Sequence, residues 1–236
     1  MTSHNAEPWR PMVGPVVCAG LRVEARAVRR GLAGTPVVVV GYRARHADRV
    51  PRGCAALVMM GFGGALDERL RPGDVLVADE IRGGGAPVRC NAAHALAGEL
   101  IRDGLSVQVG PLVTTDHVVS GAERARWAAQ GARAVDMESA LVAARAGGRP
   151  VAAVRVVVDG PGRPLLHPGT VVRGLAARRV LARTGPALER WGAFLVSGAA
   201  GSEAGPDADL DTGADEEPDS DLGTGMDGDG GEVRAT

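Results

Sequence analysis

Short runs of β-branched and small apolar residues alternate along this chain with Ala/Arg-rich stretches whose apolar positions recur at helical spacing. The runs predict strands at Pro15–Ala19, Pro36–Gly41, Ala55–Met60, Asp74–Ala78, Ser106–Thr114, Ala134–Asp136 and Pro150–Val158. The stretches between and after them predict helices at Val23–Gly31, Arg43–Val50, Ala92–Asp103, Gly121–Gln130, Glu138–Ala146, Thr170–Thr184 and Pro186–Leu195. This alternation is the pattern of an α/β protein, a sheet covered by helices on both faces. Val151–Val158 is almost continuously hydrophobic, as a strand buried on both faces should be.

Three segments are expected: a flexible leader over 1–11, one globular domain over 12–197 and an acidic, disordered tail over 198–236. From Glu203 onwards, twelve carboxylates face the single Arg234, and hardly any large apolar side chain is available to offset the entropy of ordering. The net charge of −1 therefore hides a basic body, in which every one of the basic residues is arginine. Aromatic residues make up 3% of the chain and no nucleic-acid motif is present, so a nucleic-acid partner is not expected. There is no apolar run near the ~20 residues that span a bilayer and no signal-peptide pattern, which gives a cytoplasmic expectation. The basic helices carrying Arg173, Arg178, Arg179, Arg183 and Arg190 allow peripheral contact with an anionic membrane surface. Cys18, Cys54 and Cys90 are odd in number and far apart, which suits reduced thiols rather than disulfides or metal ligands. Neither the cysteines nor the five histidines show metal-ligand spacing, and no cofactor is called for.

In sheets of this class, ligands bind where strands end and loops begin, so polar groups directly after apolar strands carry the interest. There are four. Gly20–Glu24 follows the first strand and places an acidic residue in the first turn of a helix, where it also suits the helix dipole. Gly61-Phe62-Gly63-Gly64 is either a plain flexible turn or a place where backbone N–H groups approach a ligand; it lacks the dinucleotide-binding spacing. Asp136-Met137-Glu138 puts one carboxylate at a strand end and another at a helix start, which is equally a helix cap. Asp159 closes the long buried strand ahead of Gly160-Pro161, as a turn former or as a carboxylate presented by rigid sheet.

In this order the four resemble the nucleoside phosphorylase/nucleosidase superfamily, in its methylthioadenosine/S-adenosylhomocysteine nucleosidase branch. The matching stretches are Gly61–Gly64 with its Leu70-Arg71-Pro72-Gly73-Asp74 continuation, Val135–Ala140 and Arg155–Asp159. Gly20-Leu21-Arg22-Val23-Glu24-Ala25-Arg26 together with Val135-Asp136-Met137-Glu138-Ser139 looks most like the hopanoid-associated members, thought to release adenine from adenosylhopane. The resemblance implies a three-layer αβα fold with a central mixed sheet, a small nucleoside substrate and a homodimer or larger assembly. It also implies that Asp159 meets the purine at N7 and N6, that Glu24 deprotonates water and that Glu138 holds the ribose hydroxyls. Met137 would then pack against the sugar, and Gly61, Phe62 and Gly63 would line the site. The chemistry is coherent: a purine leaves poorly until protonated, and nearby carboxylates stabilise an oxocarbenium-like sugar.

Two positions depart from the pattern: Val158 stands where a hydroxyl-bearing residue is usual, and Phe62 where Ser or Thr often follows the first glycine. Phosphorylases of the superfamily hold phosphate with Arg and Ser around this loop, where this chain has Met59, Met60 and Phe62. The missing donors favour hydrolysis, with Arg22 and Arg26 as the alternative cations for phosphate. The short Arg82–Pro87 link suggests a 5′ side left open for a bulky apolar substituent, with Phe62, Met59 and Met60 as part of an apolar wall. His117 is a further pocket candidate, although a surface or satisfied histidine reads as well. A methylthioadenosine/S-adenosylhomocysteine nucleosidase, a phosphate-dependent phosphorylase and a non-catalytic nucleoside-binding domain are the alternatives.

Overall fold

A computed structural model describes residues 12–162 and 170–203, all within one unit spanning residues 1–203. Its strands are β1 (Met12–Ala19), β2 (Val37–Val39), β3 (Cys54–Ala65), β4 (Val75–Arg82), β5 (Val88–Arg89), β6 (Val107–Thr114), β7 (Ala134–Asp136) and β8 (Val151–Asp159). The helices are α1 (Arg22–Arg29), α2 (Ala93–Arg102), α3 (Gly121–Ala129), α4 (Ser139–Ala143), α5 (Thr170–Arg183) and α6 (Gly185–Glu203). All nine residues of β8 are buried. This strand runs between β3, to which it is parallel, and β4, to which it is antiparallel, so the most apolar run has become the centre of the sheet.

The sheet is mixed, and it curls until it meets itself. β3, β8, β4, β6 and β7 pair in succession, and β7 pairs back onto the end of β3. β1 and β2 extend outward from β3, and β5 from β4. Helices α1 and α5 pack together over β1, β3 and β8, α2 packs over β4 and β6 and against α6, which also reaches β1, and α4 rests on β3, β4 and β6. The fold is thus α/β, as the pattern predicts, with the central mixed sheet that the resemblance implies; the closure is a long-range feature the pattern does not carry.

Four expectations change. The glycines 61–64 are not a loop: they continue β3 to Ala65. Met59 and Met60 are fully inside the core and form no part of the cavity wall. The Arg43–Val50 helix is replaced by two single 3-10 turns, because Arg43 (φ 55°) and Ala44 (φ 50°) are left-handed, which a right-handed helix cannot contain. Finally β4 runs on to Arg82 and α6 to Glu203, past the expected ends at Ala78 and Leu195.

Candidate active site

Register places the working side chains. Gly61 on β3 lies opposite Arg155 on β8, Gly64 lies opposite Asp159, and Gly64 also faces Val135 on β7, the residue before Asp136. β1 is parallel to β3, so its turn at Gly20-Leu21 delivers Glu24 on α1 to the same end of the sheet. One cavity of about 270 Å³ results, lined among others by Glu24, Phe62, Gly63, Asp136, Met137, Glu138 and Asp159. Of the catalytic and substrate-binding residues that the resemblance implies, Gly61 is the one outside that wall; it lies just behind it, against Glu24 and Arg155.

Glu24 is 4% exposed, with one carboxylate oxygen accepting from the Leu21 N–H and the other from the Phe62 N–H, each at 2.7 Å. Burial pushes its pKa up, and the Arg155 charge with these two N–H bonds offsets part of that. Gly61 makes the arrangement possible: a Cβ there would lie 2.5 Å from both Glu24 Oε1 and Arg155 Nη1. Glu138 accepts from the Arg43 N–H at 3.1 Å, and its pKa is also raised by burial, against the pull of Arg155. Asp136 is fully engaged: it pairs with Arg155, accepts from Thr114 Oγ1 at 2.6 Å and from the Ser139 N–H at 3.1 Å. At the end of β7 it acts as the counter-ion to Arg155 and bonds the first N–H of α4, whose N-cap position is Glu138 rather than Asp136.

Arg155 is the residue to which the sequence reading assigned no task. It is 1% exposed inside the central strand, where burial opposes its charge and Asp136, Glu138 and Glu24 more than compensate, so its pKa is raised. Nη2 donates to Ser139 Oγ at 2.9 Å, while Nε and Nη1 have no hydrogen-bond partner. An arginine in an otherwise apolar buried run signals such a cluster, since buried charges must be paired. Arg124 gave no comparable signal. It lies on α3, distant in sequence, yet its Nη2 meets Asp159 Oδ2 at 2.7 Å with both side chains 8% exposed.

The mouth is apolar with a polar clasp. Leu21, Tyr42 and Val118 line the cavity and are 43%, 47% and 56% exposed. Arg43 reaches across to Asp116, bonding its carbonyl and lying 3.3 Å from its carboxylate. His117 also lines the cavity, held between Asp116 at 2.7 Å and Glu123 at 2.9 Å, and these two hydrogen bonds raise its pKa. Arg22 and Arg26, the cations considered for phosphate, are exposed and stand outside the cavity wall. The Gly83–Pro87 segment does not line it either. Among the described residues no group of three or more His, Cys, Asp or Glu is placed to hold a metal ion.

A cavity thus opens at the strand ends of a mixed α/β sheet, walled by carboxylates around a buried arginine. The chain belongs to the Phosphorylase superfamily, whose family model matches residues 9–179. Solved structures share its fold. The 5′-methylthioadenosine/S-adenosylhomocysteine nucleosidase of Campylobacter jejuni has a TM-score of 0.62 at 15% identity, covering 74% of this chain and 96% of its own. The native futalosine hydrolase of Helicobacter pylori gives 0.62 at 15%, covering 75% and 97%. The S-adenosylhomocysteine nucleosidase of Streptococcus pyogenes, solved with 5-methylthiotubericidin, gives 0.59 at 19%, covering 72% and 94%. At these identities the likeness is one of fold. No curated protein matches the sequence.

Proposed function

We propose that this protein is a purine nucleosidase that hydrolyses the N-glycosidic bond of a 5′-substituted adenosine. The observation that carries this is the convergence of Glu24, Glu138 and Asp159, from three separate elements, on one cavity. As C1′–N9 breaks, the bond's electron pair goes to the base, and Asp159 delivers a proton to N7. Water adds to C1′ and gives its proton to Glu24, which returns it to Asp159 through solvent once adenine and the free sugar leave. Burial suits Glu24 to this task, because a base with raised proton affinity takes a proton readily near neutral pH. Glu138 holds the ribose hydroxyls, Met137 packs on the sugar, and Arg155 keeps the carboxylates from repelling one another. The nucleosidase and hydrolase activities named for the structural neighbours support this reading.

Hydrolysis is preferred to phosphorolysis on charge. Four carboxylates, Glu24, Asp136, Glu138 and Asp159, line the cavity, and the one guanidinium on its wall, Arg124, is already bonded. A phosphate dianion there would meet like charge and find no unbonded guanidinium on the wall, the unbonded Nε and Nη1 of Arg155 lying behind it. The exposed apolar rim of Leu21, Tyr42 and Val118 suits a large apolar 5′ group, and with the resemblance to hopanoid-associated members supports adenosylhopane as substrate and ribosylhopane as product. We expect kcat/KM in detergent to be higher for adenosylhopane than for methylthioadenosine or S-adenosylhomocysteine. Preference for methylthioadenosine would contradict the apolar substrate and leave the nucleosidase reading standing.

A further inference from the structure

We propose that Arg124 is a positioning residue for Asp159, tying down one carboxyl oxygen so that the other is the one that serves the purine base. This rests on the nucleosidase reading of Asp159. The guanidinium is held from three directions: it donates to the Ala65 carbonyl at the end of β3, to the Val119 carbonyl at 3.0 Å and to Asp159 Oδ2 at 2.7 Å. Its place is therefore fixed before any ligand arrives. On the other side of the carboxyl, Oδ1 lies 2.7 Å from where a Cβ on Gly64 would be, so that oxygen rests against bare backbone.

Stability alone does not explain the pair. Replacing a buried ion pair by well-packed apolar side chains is often neutral or stabilising, so a buried pair on a cavity wall points to a role beyond stability. Arg124 can bond Oδ2 whether Asp159 is a carboxylate or an acid, since that oxygen accepts in both forms. A proton on Asp159 is thereby directed to Oδ1. Proton transfer depends steeply on the placing of donor and acceptor, and a carboxyl free to rotate would present the wrong oxygen part of the time.

The experiment is a double-mutant cycle on the purified full chain, following adenine release from the best substrate found. Arg124→Gln keeps an amide to bond the carbonyls and removes the charge; Arg124→Lys keeps the charge. Arg124→Gln should lower kcat about 10²-fold, the lower end of a general-acid contribution, with KM changed by less than about threefold. Arg124→Lys should recover at least about tenfold of that loss, and serves for the cycle if the Gln variant does not fold. In an Asp159→Asn background either change should cost no more than about threefold, because its route of action is gone. Losses that multiply in the double variant would overturn the positioning role, as would a Gln variant with parental kcat or a Lys variant no better than Gln. A parent that releases no purine base would overturn the nucleosidase reading and this role with it, an outcome distinct from the others.

Discussion

The burial that makes Glu24 costly to the fold is what its proposed role as a base would draw on. The native state binds a proton on it more readily than the unfolded chain does, since burial outweighs Arg155 and the Phe62 and Leu21 N–H groups. A pKa raised on folding gives a stabilising contribution that is complete below the unfolded value and lost as pH rises through the folded one. Glu24→Gln removes the titration. The melting temperature of the parent relative to that variant should therefore climb as pH falls from about 7 to about 5, and a flat difference would contradict the assignment. The same shift puts the acid limb of kcat/KM above the ordinary glutamate range. Glu24→Gln and Asp159→Asn should each lower turnover by about 10²–10⁴-fold with the fold retained. A variant within about threefold of the parent would remove that residue from the mechanism.

Strand β3 is the element on which the site is assembled, and Gly61 is where its backbone must stay bare. A methyl group there would press on Glu24 Oε1 and Arg155 Nη1 together, in a core with no room to yield. Gly61→Ala is expected to lower kcat more than about tenfold, since small displacements of catalytic groups can cost about 10²-fold; unchanged kinetics would mean that the carboxylate need not sit there. Much of this element logic is legible in the sequence. The apolar runs locate β1, β3, β6, β7 and β8, and the polar residues after them locate Glu24, Glu138 and Asp159. What the runs cannot show is pairing. Gly61–Gly64 looks like a loop because glycine is a poor strand former, and only β8 and β7 on either side make it a strand. Arg124 was hidden because a helix surface pattern does not reveal which strand end lies beneath it. Arg43–Val50 has helical spacing, yet the chain there turns left-handed at Arg43 and Ala44.

At the scale of the whole molecule, the closed ring of five strands fixes the distances between carboxylates that come from distant parts of the chain. A chain ending at Glu203 should keep its melting temperature and its kcat/KM, because the core and every proposed working residue precede that point; a large loss of either would give the acidic segment a structural or site-closing part. No described helix is long and apolar enough to cross a membrane. Identifying the sugar product tests most directly whether the carboxylate-walled cavity hydrolyses a purine nucleoside. Purified protein and a 5′-substituted adenosine should yield adenine and a free reducing sugar in phosphate-free buffer, at a rate unchanged by added phosphate. No base release, or release that requires phosphate and yields a sugar 1-phosphate, would contradict it.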